Sequence, residues 1–343
     1  MTTAEHRRPT TPGADLGPAL HARAEATGLS GVVHVSRGEE VLFARAYGWA
    51  DRARGVAASV EHRFGVASIA KGVTALTIAS LVEEGRLGWD DPVRPVLGQD
   101  LPLVDDRVTV DHLLTHTSGI GDYLDENGDG QITDYVLTVP PHALDDTEAY
   151  LPVLAPHPQV SDPGPVFAYN NSGFVLLALV AQRVAGVPFP DLVAQRVLGP
   201  AGMTRTGFPR SDEPAADLAV GYLDADGPRT NVLHLPVRGS GDGGLATTAV
   251  DLATFWAALT GGRIVSPATV ARLTEPLHVV EDEGMRYGRG FWLGLDSADL
   301  IMEGYDAGVS ARTRYDPGTG VTVTVIANTS DGAWPVLREP EED

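Results

Sequence analysis

Ser68-Ile69-Ala70-Lys71 places a hydroxyl and an amine three residues apart. On a helix that spacing turns through about 300°, so both side chains leave nearly the same face and come within reach of one another. A serine hydroxyl becomes a useful nucleophile when a neighbour removes its proton, and a lysine does so when burial or nearby charge depresses its pKa. S-x-x-K alone is a common string. Composition makes this instance stand out: of the 25 basic residues, 24 are arginine and the single lysine is Lys71. Arginine stays protonated in proteins, whereas lysine titrates readily once buried, so a proton-accepting position is one that arginine does not fill. The competing interpretation is an ordinary exposed helix lysine, and for that the coincidence of the lone lysine with this motif is 1 in 25.

The elements that must hold these groups can be read on either side. After Ser68, residues Ile69, Val73, Leu76 and Ala79 recur at helical spacing. Further helices fit Asp15 to Thr27, Val110 to Leu114, Gly173 to Val184, Phe189 to Val197 and Val250 to Leu259, with a proline-rich connection from Pro152 to Pro165. Val32 to Ser36 and Val41 to Tyr47 are β-prone runs around Arg37-Gly38-Glu39, which predicts a hairpin. Ala311 to Tyr315 and Val321 to Ala327 repeat the pattern around Asp316-Pro317-Gly318-Thr319-Gly320. Both chain ends thus supply antiparallel strands. The expected fold class is α+β: an antiparallel β-sheet flanked by helices, built from both ends, with a mainly helical subdomain inserted between them. The expected organisation is an unstructured segment over 1–13 and a single catalytic domain over 14–335, followed by an acidic tail over 336–343. Within the domain the α/β part covers about 14–75 and 225–335, and the helical part about 76–224.

Composition narrows the partners. The chain has 343 residues, 43% of them hydrophobic, which is ample for a core. Its formal charge of −21 repels phosphate backbones and anionic headgroups, so neither nucleic acid nor a membrane surface is expected as a partner. The absence of cysteine removes disulfides, thiolate metal sites and a cysteine nucleophile. The first thirty residues hold no continuous apolar run of the kind a secretory signal needs, and Phe174 to Ala181 is too short to span a bilayer. The expectation is a cytoplasmic enzyme.

Several further strings carry a resemblance. His112-Leu113-Leu114-Thr115-His116-Thr117-Ser118-Gly119, Pro200-Ala201-Gly202-Met203-Thr204, and Gly243-Gly244-Leu245 with Thr247-Thr248 and Asp251-Leu252 accompany the S-x-x-K serine, which Phe64-Gly65-Val66-Ala67 leads into. Over about residues 30 to 330 the chain resembles serine hydrolases of the penicillin-binding-protein and class C β-lactamase type. That resemblance implies a β-lactamase/transpeptidase-like fold and an acyl-enzyme on Ser68. The family's second motif, Tyr-x-Asn, is matched by Tyr169-Asn170-Asn171. It implies that Tyr169 shuttles a proton, its phenol acidified by a nearby ammonium, and that Asn171 hydrogen-bonds the substrate. The bland alternative is a half-buried tyrosine and a helix-capping asparagine.

The third motif, Lys-x-Gly or His-x-Gly on a strand beside the site, falls on Met302-Glu303-Gly304 when counted back from Gly308-Val309-Ser310. The cation is missing. Gly304 is retained, so the resemblance implies an oxyanion hole from the backbone N–H groups of Ser68 and Tyr305, with Met302 packing against the substrate site. His112 and His116 invite a zinc or triad reading, but the resemblance puts them in a structural turn. No G-x-S-x-G pentapeptide supports a Ser-His-Asp mechanism.

Asp125-Glu126-Asn127-Gly128-Asp129-Gly130-Gln131-Ile132 matches the start of a calcium loop, with oxygen ligands at Asp125, Asn127 and Asp129. Position 12 is Val136 instead of the bidentate glutamate, so calcium is expected to bind weakly if at all. No cofactor is required. The function expected is acyl transfer from a small ester, amide or peptide, with carboxylesterase first. A D-amino-acid peptidase or amidase, a β-lactamase and an acyltransferase are alternatives on the same site. A penicillin sensor that is acylated without turnover is the alternative of another class. Nothing in the sequence sets the oligomeric state.

Overall fold

The computed structural model describes residues 13, 15–124 and 131–338. Residues 1–12, the candidate calcium ligands Asp125, Asn127 and Asp129, and the acidic end from residue 339 lie outside the described residues.

Among the described residues, eight strands form one antiparallel sheet. They are β1 (Gly31–Arg37), β2 (Glu40–Tyr47), β3 (His278–Val280), β4 (Met285–Tyr287), β5 (Trp292–Gly294), β6 (Leu300–Asp306), β7 (Val309–Asp316) and β8 (Val321–Ala327). Their order across the sheet is β2-β1-β8-β7-β6-β5-β4-β3. The two hairpins turn where breaker residues stand. Gly38 takes φ 57° between β1 and β2. Between β7 and β8, Asp316 accepts from the Gly318 N–H at 2.7 Å and the Thr319 hydroxyl at 2.6 Å, and Gly320 takes φ 72°. The register then joins the chain ends, with Val33 opposite Val325. This is the α+β architecture expected, an antiparallel sheet flanked by helices.

Strand periodicity divides the sheet into two faces. Val33, Val35, Val323 and Val325 pack on one side with Leu20 and Ala24 of α1 (Leu16–Thr27). Ala333 and Val336 close this layer, Val336 from the short C-terminal helix Trp334–Leu337, which crosses the boundary expected at residue 335. On the other side lies the main core, built around α2 (Ala70–Glu83), α4 (Asn171–Ala185) and α5 (Ala249–Thr260). The helix of the His112 string, α3 (Val110–Leu114), packs against α4. α2 is buried on every side from Ala70 to Leu81, as a helix apolar all round must be. Where a nine-residue helix was expected from Phe189, the α-helix stops at Val193 and a π-turn covers Ala194–Leu198.

One row of this inner face is polar. Met302, Thr313, Thr324 and His34 are successive partners across β6, β7, β8 and β1. Thr313 and Thr324 share a hydroxyl hydrogen bond of 2.8 Å, and Trp256 Nε1 donates to Thr313 at 2.9 Å. His34, 1% exposed, has no hydrogen-bond partner among the described residues on either ring nitrogen. Among the described residues no single helix is long and apolar enough to cross a membrane.

Candidate active site

Ser68 sits in a 3-10 turn, Ala67–Ile69, that feeds directly into α2. A two-strand ribbon, Phe64–Gly65 with Ala246–Thr247, delivers the chain to it. Ala67 is held at φ 44°, a left-handed conformation that costs an alanine energy and is kept here by its surroundings. Those surroundings include β6. A methyl group added to Gly304 would strike the Val66 carbonyl and lie 2.7 Å from the Ser68 nitrogen, so the third-motif glycine is what lets the strand close on the serine turn.

Lys71, one turn on from Ser68 and 2% exposed, points its amine at three oxygens. Nζ lies 2.8 Å from Ser68 Oγ, 2.7 Å from Asn171 Oδ1 and 3.1 Å from the Asp242 carbonyl. The same amine is 4.8 Å from the centroid of the Tyr169 ring. Asn171 opens α4, capped by Asn170, whose side-chain oxygen accepts from the Gly173 N–H at 2.7 Å. Its amide is oriented from behind: Nδ2 donates to the Leu124 carbonyl at 2.9 Å, which leaves Oδ1 for Lys71. Asp122 accepts the backbone N–H groups of Asn171 and Ser172, each at 2.8 Å.

The surroundings of the amine are acidic. Burial pushes the Asp122 carboxyl up, opposed by those N–H groups and by Lys71. Burial also raises Asp242, opposed by Lys71 and by the Tyr123 hydroxyl that hydrogen-bonds to it. Tyr123 itself is driven well above 10 by burial and by the Asp242 charge.

Two cavities meet at the serine. One, of about 160 Å³, is walled by residues such as Leu218, Val232, Leu235 and Val237 and has Asn171 and Asp242 on its lining. The other is a cleft of about 820 Å³ bordered by Tyr169, Trp292, Glu303, Arg312 and Trp334. Ser68 and Tyr305 line both. In the cleft, Arg312 is held by Glu303 at 2.6 Å and lies 5.6 Å over the Trp334 ring.

The structure thus brings Ser68, Lys71, Tyr169, Asn171, Gly304 and Tyr305 together. Met302 is a correction. It is 2% exposed, lines neither cavity and rests on Gly72 in the main core. It shares a strand face with Gly304, and that face points at α2, so its thioether meets the helix instead of a substrate. His112 and His116 do not form a metal pair. His112 completes a capping box with Thr109 at the start of α3, and His116 is buried among aromatic rings. Among the described residues no group of three or more His, Cys, Asp or Glu could hold a metal ion. Sequence reasoning passed over Asp122, Asp242 and Trp292, whose ring stacks at 16° on Tyr169. Only the position of Asp122, three residues after Gly119, hinted at the first.

The fold is shared with known proteins. A penicillin-binding protein of Bacillus halodurans has the same fold at TM-score 0.86 and 37% identity, covering 93% of this chain and 98% of that one. PbpX of Bacillus subtilis, a protein named for penicillin binding, is 30% identical over 290 residues, 81% of this chain and 66% of its own length. Esterase EstB of Burkholderia gladioli is 36% identical over 205 residues, 57% of this chain and 50% of that protein. The chain spans two thirds or less of these two curated relatives. The family profile described as beta-lactamase matches residues 19–342, from the first sheet-packing helix to the C-terminus, and the chain belongs to that family of serine hydrolases.

Proposed function

We propose that the chain is a carboxylesterase that works through an acyl-enzyme on Ser68. The observation that carries this reading is the 2.8 Å contact between Lys71 Nζ and Ser68 Oγ, made by a buried amine already committed to Asn171 and the Asp242 carbonyl. Ser68 Oγ attacks the ester carbonyl while its proton passes to Lys71, which exchanges it with Tyr169. The oxyanion is met by the N–H groups of Ser68 and Tyr305. Tyr169 then returns the proton to the departing alcohol, and the C–O bond to that alcohol breaks. Water repeats the sequence on the acyl-enzyme: its proton goes to the same pair, its oxygen bonds the carbonyl carbon, and Ser68 leaves with the proton restored.

The two cavities suit the two halves of an ester. The leaving alcohol belongs in the larger cleft, because Tyr169 lines it and does not line the other cavity. The acyl group belongs in the smaller one, whose apolar wall fits a short uncharged chain. A carboxylate-bearing β-lactam finds the guanidinium in the cleft already engaged by Glu303. Neutral short-chain esters are therefore the favoured substrates over anionic lactams and over amides, whose poorer leaving group demands more from the site.

The test is a fluorophosphonate label followed by intact-mass and peptide analysis, with p-nitrophenyl esters of graded chain length beside a chromogenic cephalosporin and a D-amino-acid amide. Label on Ser68 and highest kcat/KM on the short esters are expected. Label on another serine, full activity in Ser68→Ala, or a higher kcat/KM on the amide or cephalosporin would overturn the proposal.

A further inference from the structure

The second histidine of the H-L-L-T-H-T-S-G string has no part in the chemistry above, yet it touches both sides of Tyr169. The carbonyl oxygen of His116 accepts the N–H of Ala168 at 2.8 Å, and its Nδ1 accepts the N–H of Asn170 at 3.1 Å. These are the residues immediately before and after Tyr169. The imidazole lies beneath the phenol ring, 4.5 Å between centroids, and is boxed in by Phe174, Tyr287 and Phe167 at 5.0, 4.9 and 5.8 Å. The backbone is held at φ 56°, a conformation that a histidine keeps only under constraint. We infer that His116 is the positioning residue for Tyr169, clamping its backbone on both sides and supporting its ring so that the phenol faces Ser68 and Lys71.

The chemistry of the ring is consistent with a fixed part. Nδ1 accepts from Asn170, so in the neutral ring the proton resides on Nε2, which is buried with no hydrogen-bond partner among the described residues. Burial holds the imidazole far below its ordinary pKa, aided by the Lys71 and His278 charges. A group that neither titrates near neutrality nor faces a cavity acts through its neighbour. A buried donor left without a partner is tolerated where geometry is worth more than the lost bond.

This inference rests on the esterase reading, in which Tyr169 hands a proton to the leaving alcohol. That step matters for an alkoxide and little for p-nitrophenolate, which departs without help. The experiment compares an ethyl ester with the p-nitrophenyl ester of the same acid, in wild type, Tyr169→Phe, His116→Gln and His116→Asn. The first two variants should lose at least ~100-fold in kcat/KM on the ethyl ester and less than ~10-fold on the p-nitrophenyl ester. His116→Asn puts an amide oxygen near the Nδ1 position and accepts positive φ, so it should recover to within ~5-fold of wild type. Parallel losses on both esters in His116→Gln, or no rescue by asparagine, would overturn the inference. A selective loss in Tyr169→Phe without one in His116→Gln defeats the positioning role alone, whereas no selective loss in Tyr169→Phe defeats the esterase mechanism with it. Should the His116 variants fail to fold, ¹⁵N NMR of the wild type decides: Nε2 protonated and Nδ1 bare is expected, and the opposite tautomer or an imidazolium overturns it.

Discussion

The side chain of Met302 rests on Gly72, the residue that follows Lys71: a methyl group added to Gly72 would meet the Met302 sulfur and lie 3.3 Å from its Cγ. The position that carries a cation elsewhere in the family is thus part of the floor under the lysine helix. Neutral short-chain esters should be turned over with kcat/KM at least about tenfold above that for cephalosporins, about 1.4 kcal/mol. Met302→Lys buries an ammonium in a packed core and should destabilise the fold by about 1–3 kcal/mol without improving cephalosporin turnover. Denaturant titration and the two kcat/KM values check both statements.

Gly304→Ala should leave little activity. Its methyl group would press on the Val66 carbonyl and the Ser68 nitrogen, which are backbone atoms that yield only if the serine turn moves. A shift of that kind disturbs one of the proposed oxyanion donors, and a loss of at least ~10² in kcat is expected. Steady-state kinetics on a p-nitrophenyl ester, with circular dichroism as the folding control, gives the answer.

Lys71→Arg keeps the charge and removes the capacity to lose a proton. The acylation rate, read as the stopped-flow release of p-nitrophenol, should fall by a factor of about 10² or more. A near-normal rate would assign Lys71 the role of a fixed charge.

His34 predicts acid lability. Burial lowers its pKa from 6.5 to about 4. The unfolded chain takes up the proton below 6.5, whereas the native ring stays neutral until about 4, so stability is complete above 6.5 and declines as pH falls between these values. At 1.36 kcal/mol per unit this amounts to as much as about 3 kcal/mol. With neither nitrogen hydrogen-bonded, leucine is a fair replacement, and His34→Leu should flatten that part of the stability–pH curve in urea titrations from pH 7 to 4.

How much was legible in advance follows the range of the interactions. Ser68 and Lys71 were visible because one helical turn joins them, and Tyr169 because Tyr169-Asn170-Asn171 resembles the family's Tyr-x-Asn motif. The hairpins were visible because Gly38 and the Asp316 to Gly320 turn are local signals. The stacking of Trp292 on Tyr169 and the Tyr123–Asp242 hydrogen bond join segments more than a hundred residues apart, and no local pattern encodes such a meeting. Met302 was misplaced for another reason. Its motif slot was identified, but the direction of a strand side chain depends on which face the sheet turns toward α2, and only the packing decides that. The clamp at His116 was hidden because its two hydrogen bonds run to backbone N–H groups, which carry no residue signature.

The sheet order has a consequence for biosynthesis. β1 leaves the ribosome long before β8, the partner on its inner side, whose residues 321–327 follow residues 31–37 of β1 at a great distance in the chain. Until then the N-terminal hairpin has an unpaired edge, and the serine turn lacks the strand bearing Gly304. Pairings this distant in sequence form slowly and leave open strands at risk of association. The nascent chain therefore holds its nucleophile in an unfinished site until β6 to β8 have emerged, and the site is completed when that part of the sheet inserts.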